Sequence, residues 1–152
     1  MFQWVMTRQM IFVCLLILST LYAFARGGRP EQIAAATLVL GVMASIAFAH
    51  HPSLRFHKFE AGILAVDLVM VGIFLALSFR STRFWPIWIA GILGAETIVH
   101  VTRAVVPHVI PQAYADAAGL WSWVIQTILI AATWRHRHRL RQNGSDAPWR
   151  TD

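Results

Sequence analysis

Residues 84–106 read FWPIWIAGILGAETIVHVTRAVV. The stretch is as long and apolar as a membrane span, yet it holds Glu96, His100 and Arg103. Their spacings, four and three, are those of neighbours on one face of a helix. An ionisable group near a bilayer centre costs about 2.5–3.5 kcal/mol on insertion scales. Three of them on one stripe therefore call for partners elsewhere in the fold.

Working outward, four more stretches are apolar enough to cross a bilayer: residues 9–25, 33–49, 61–79 and 117–134. At 1.5 Å per residue, spans of this length match a hydrocarbon core of about 30 Å. The chain is 57% hydrophobic and 13% charged, against about 25% charged for a soluble domain. The expected fold is all-α: an integral membrane bundle of five transmembrane helices over residues 1–142, followed by a short polar tail, 143–152, that frays. Cys14, the single cysteine, has no internal disulfide partner and reads as a small buried apolar residue.

The basic residues set the orientation. The run Arg135-His136-Arg137-His138-Arg139-Leu140-Arg141 directly follows the last span and is expected in the cytoplasm. Arg26, Arg29, Arg80 and Arg83 then also fall inside, and Arg8, Arg55, Lys58 and Arg103 outside. This predicts an N-out, C-in topology. A net charge of +6 spread over helix ends in this way points to topology signals rather than to nucleic acid. A competing reading treats residues 1–25 as a signal peptide cleaved after Ala23-Phe24-Ala25; it would strand the Arg-rich tail outside. Trp85, Trp88, Trp121, Trp123 and Trp134 fall at span ends and read as interfacial anchors. Arg135, Arg137, Arg139 and Arg141 read as contacts to anionic lipid headgroups.

Loops follow from Gly27-Gly28-Arg29-Pro30, His51-Pro52-Ser53 and the stretch from Pro107 to Pro111, with 112–118 as a short interfacial helix. Small residues recur four apart (Gly41 with Ser45, Gly72 with Ala76, Gly91 with Ala95), a spacing that permits close helix contact in lipid.

The third span carries Asp67, with Glu60 at its outer end. If the hairpin turns at Arg80-Ser81-Thr82-Arg83, residues at equal depth have numbers totalling 163. Glu60 then meets Arg103 as a structural ion pair. Asp67 meets Glu96 near the midplane with His100 one turn further out, and a few residues of stagger would bring Asp67 to His100 instead. Two carboxylates there cannot both ionise cheaply. A shared proton, or one carboxylate against a protonated His100, relieves the cost. The cluster reads either as glue between two helices or as a proton or cation site.

His50, His51 and His57 crowd one outer loop and are weak candidates for metal or b-type haem ligation. No haem or metal cofactor is expected, since no metal-ligand motif is present, and neither is any catalytic signature.

Ala65-Val66-Asp67-Leu68, Arg83-Phe84-Trp85-Pro86-Ile87-Trp88, Ala113-Tyr114-Ala115 and Thr133-Trp134-Arg135-His136-Arg137 together resemble a family of small, uncharacterised bacterial inner-membrane proteins, over about two-thirds of the chain. The resemblance implies a multi-pass protein of the bacterial inner membrane and no functional residue, because no activity is attached to that family. The expected function is that of a non-enzymatic accessory or scaffolding subunit, packing against other membrane-protein subunits or copies of itself. The alternatives are a small proton- or cation-coupled transporter or channel using Asp67, Glu96 and His100, and a membrane haem protein.

Overall fold

The computed structural model describes residues 2–48, 61–105 and 111–150, with side chains for 7, 9–48, 62–102 and 120–150. These residues form five helices: α1 Phe2–Arg26, α2 Arg29–Phe48, α3 Ala61–Arg80, α4 Trp85–Val105 and α5 Pro111–Asn143. No strand occurs among the described residues; the one β-bridge pairs Ser81 with Trp149. The fold is all-α.

Local chemistry explains where the helices stop. The Gly27 N–H donates to the Ala23 carbonyl at 2.8 Å, and a Cβ on Gly27 would lie 2.5 Å from that oxygen, so the turn needs glycine. Gly28 is the N-cap of α2: its carbonyl accepts from the Gln32 N–H at 3.0 Å. Its own N–H donates to Glu31 Oε2, also at 3.0 Å. A third-position Glu reaching back to the cap is half of a capping box. Pro30 and Pro86 occupy the first turns of α2 and α4, where a missing N–H costs nothing. Gly144, at φ 70°, ends α5 in the left-handed conformation that glycine adopts freely, and its N–H donates to the Leu140 carbonyl.

Each helix packs on the next, and α5 packs back on α1, with α2 also touching α5. Phe74, Ile89 and Leu129 are fully buried at the centre, with Leu38, Leu77 and Leu93 around them. The surface is apolar. Leu18, Leu40, Met43, Val69, Phe79, Ile98, Leu120 and Trp134 are all more than half exposed, and Glu31, Asp67, Arg83, Gln126 and His136 are buried. Such an outward apolar surface suits contact with lipid, and the buried ionisable residues are paired, as burial requires. Among the described residues, three helices are long and apolar enough to cross a membrane: Gln9–Arg26, Arg29–Phe48 and Gly62–Arg80. α4 carries Glu96 and His100 in its length, and the end of α5 is Arg-rich.

Several expectations change. The stretch 112–118 is no separate helix; it is the first part of a 33-residue α5 about 50 Å long. Cys14 is exposed on the outside of α1 rather than buried. Of the spaced small residues, Gly41 is packed against Met70, whereas Gly72 and Gly91 face open space. The tail does not fray over residues 144–150. It folds back beneath the bundle, where the Thr82 N–H donates to the Pro148 carbonyl and the Arg150 N–H to the Arg80 carbonyl. Thr82 Oγ1 donates to the Ala147 carbonyl at 2.7 Å, and Trp149 packs against the core. Backbone pairing between residues more than sixty apart leaves no local trace in a sequence.

Candidate functional site

The structure gathers ionisable residues at two levels. The first is at the end of the bundle where α1, α3 and α5 finish and α2 and α4 begin. Glu31 is completely buried there. Beyond its bond to the Gly28 N–H, it accepts from Trp85 Nε1 at 3.3 Å, and Arg83 Nε stands 3.5 Å from Oε1. Arg83 is itself buried and turns its guanidinium to the tail, where Nη1 donates to Asp146 Oδ1 at 2.6 Å. His136 Nδ1 lies 2.6 Å from Asp146 Oδ2. A carboxylate only accepts, so the proton belongs on Nδ1; the Arg83 Nη2 atom 3.1 Å away is then a close neighbour and not a second donor to the ring. Arg139 Nε reaches both Asp146 oxygens at 3.2 Å.

Two carboxylates thus face two guanidiniums and one imidazole. Burial alone would raise the Asp146 carboxyl. The hydrogen bonds from Arg83 and His136, the Arg83 charge and the bond from Arg139 overcome this and hold it at about 2. Gly28 allows the close approach, because a Cβ there would lie 3.0 Å from both Glu31 Oε2 and His136 Cε1. The network joins the α1–α2 turn, the α3–α4 turn, α5 and the tail. A clamp of this kind fixes the spacing of the elements it joins.

The second level lies between α3 and α4. The loop joining them runs from 81 to 84, one residue later than the sequence suggested, and this shifts the register so that Asp67 falls between Glu96 and His100. His100 Nε2 is 3.1 Å from Asp67 Oδ2, and Glu96 is near enough to feel the Asp67 charge. Asp67 is 8% exposed, and among the described residues its Oδ2 receives no hydrogen bond of good geometry. Asp67 is six residues from the start of α3 and thirteen from its end, about 9 Å and 20 Å respectively.

The other anticipated residues are scattered. Glu60, His50, His51 and His57 lie outside the described residues, as does the side chain of Arg103, so the Glu60–Arg103 pair lies there too. Among the described residues no group of three or more His, Cys, Asp or Glu could hold a metal ion. Trp88 and Trp134 are exposed and Trp123 half-buried; Trp134 stacks on His138 with centroids 5.6 Å apart. Trp85 is no simple interfacial anchor, because its N–H is spent on Glu31. Arg135 and Arg141 are exposed and Arg137 half-buried, whereas Arg139 is committed to Asp146. The clamp is not among the expectations from sequence, which take Arg83 and His136 as charge signals and residue 146 as part of the tail and give Glu31 no role. One readable signal was passed over, the glutamate three residues after Gly28 and ahead of an apolar run.

Comparisons of the chain with protein-family models, with curated proteins and with solved structures gave no match.

Proposed function

We propose that the chain is a five-span protein of the bacterial inner membrane, N-out and C-in, serving as a non-enzymatic accessory or scaffolding subunit that packs against other membrane helices. The observation that carries this is the inverted burial. Large apolar side chains point outward from all five helices, α4 and α5 included: Trp88 and Ile98 on α4, Leu120 and Trp134 on α5. Near the tail end the charges of Glu31, Arg83, His136 and Asp146 are paired inward, and Arg26, Arg29, Arg80, Arg135 and Arg141 are exposed, as expected where a bundle meets anionic headgroups.

An accessory role is supported by a groove between α4 and α5. It is lined by Phe84, Trp88, Gly91 and Ala95 on one side and by Trp121 of α5 on the other. A Cβ on Gly91 would meet nothing within 4 Å, so another helix has room to approach the α4 backbone. Few of the described residues lie outside helices, which makes the lateral surface the main place to act. The test is a photo-crosslinking residue at Gly91 and, separately, at Leu18 on α1, in membranes of cells expressing the intact chain. A discrete protein adduct at position 91 and none at 18 supports the reading. Lipid adducts alone at both positions overturn it.

A further inference from the structure

The Asp67–Glu96–His100 group has no part in the scaffolding role, and its surroundings are lopsided. Toward the tail end it is backed by an apolar plug: Met70, Phe74 and Leu77 on α3, with Ile89 and Leu93 on α4, are all buried. Beyond the plug the clamp of Glu31, Arg83, His136 and Asp146 closes the bundle, and Trp149 packs against the core. Toward the other end, α3 begins at Ala61, about 9 Å before Asp67, and the His100 side chain keeps 22% of its surface exposed.

The chemistry of the group is that of a proton holder. A buried carboxylate oxygen without a hydrogen bond is costly as an anion. Asp67 Oδ2 is such an atom, and the His100 ring nitrogen Nε2 stands 3.1 Å away. A proton resident on the pair removes the penalty, either as Asp67 O–H donating to Nε2 or as an imidazolium facing a carboxylate. Glu96 lies within electrostatic reach of Asp67, a second carboxyl in the same group. The described helices α2, α3 and α4 carry few other ionisable residues. α2, packed on α3, carries only Arg29 and Glu31, at the far end. α3 otherwise has only Arg80, also at the far end. α4 adds Arg103, and α5 has Tyr114 and Asp116 in its first turns.

We infer that Asp67, Glu96 and His100 form a proton-binding site that exchanges with the side of the membrane opposite the tail and with that side only. With the other side plugged, the site takes up and releases a proton without passing it across. It reports the pH of one compartment on the α3–α4 contact and conducts nothing.

The experiment uses the intact protein in liposomes, with the two insertion orientations separated by access of protease to the tail. A hydrophobic carbodiimide is added, which reacts with protonated carboxyl groups within the bilayer, and adducts are read by mass spectrometry. An adduct on Asp67 or Glu96 is expected, its yield falling at least severalfold as the pH on the side opposite the tail is raised from 6 to 9. Varying the pH on the tail side should leave it unchanged. Asp67→Asn and Glu96→Gln, checked for folding by circular dichroism, assign the adduct. No adduct on either residue, a yield indifferent to pH, or a yield that follows the tail side overturns the proposal. It rests on the five-span reading, but the two fail separately: if α4 does not cross, a cysteine between α4 and α5 labels from the tail side, whereas a wrong proton site leaves that topology intact.

Discussion

Asp146→Asn should loosen the strap of residues 144–150 while leaving the helices in place. The wild-type carboxyl is held at about 2 against an ordinary 3.8. A tenfold change in proton affinity is worth about 1.4 kcal/mol, so the ion pairs favour the docked strap by at most about 2.5 kcal/mol. The site sits at the edge of the bundle, where water screens it, and about 1–2 kcal/mol is the expected loss. Asparagine can still accept from Arg83 Nη1, but it no longer balances the charges of Arg83 and Arg139. The reporters are two amides that the strap protects, Thr82 N–H on Pro148 O and Arg150 N–H on Arg80 O. A loss of about 1.4 kcal/mol in strap closure speeds their hydrogen exchange about tenfold at neutral pH. Arg139→Gln, which removes only the two 3.2 Å contacts, should speed it less. The pH dependence has a definite sign: Asp146 is depressed in the folded state, so its contribution is complete above about 4 and is lost as pH falls toward 2. Wild type should lose strap stability across that window, and Asp146→Asn should not. Unchanged exchange at Thr82 and Arg150 in the variant would refute the reasoning, since the strap would then be held by its backbone bonds and Trp149 alone.

Glu31→Ala leaves Arg83 buried without its inner partner and frees the Gly28 N–H and Trp85 Nε1; a loss of about 3–5 kcal/mol is expected in detergent-mediated unfolding. Gly27→Ala should destabilise by about 1–3 kcal/mol, because its Cβ meets Ala23 O at 2.5 Å. Gly91→Ala, with open space around it, should be neutral or stabilising by up to about 1 kcal/mol, and equal losses in the two variants would contradict the assigned geometry. Phe74→Ala, at a fully buried position, should cost about 3–5 kcal/mol in the same assay.

How much of this was legible depends on the distance over which each feature is encoded. Helix limits are local: Gly27-Gly28, Pro30 and Pro86 punctuate the chain, and the observed α1–α2 and α3–α4 connections fall where those residues stand. The Asp67 contact was nearly legible, because a short hairpin fixes the register of its helices and an error of one residue in the loop centre is small. The clamp was not. Its members come from positions 31, 83, 136, 139 and 146, each with a satisfactory local explanation as cap, topology signal or tail. Only Gly144, which turns the chain back, brings Asp146 to Arg83, and a glycine near a C-terminus reads equally well as the start of a free end. Cys14 was misjudged for another reason: within an apolar segment, composition does not say which face turns outward.

The central claim is that α4 and α5 cross the bilayer along with α1, α2 and α3. The most direct test is a pair of single cysteines in a Cys14→Ser background, one replacing His108 between α4 and α5 and one replacing Ser145 in the strap. Each is probed with a membrane-impermeant maleimide on intact cells, or on spheroplasts if an outer membrane bars the reagent, and again after permeabilisation. Five spans predict that position 108 labels without permeabilisation and position 145 only after it. Position 108 labelling only after permeabilisation, together with 145, would mean that α4 and α5 lie on the inner surface, and would contradict the account.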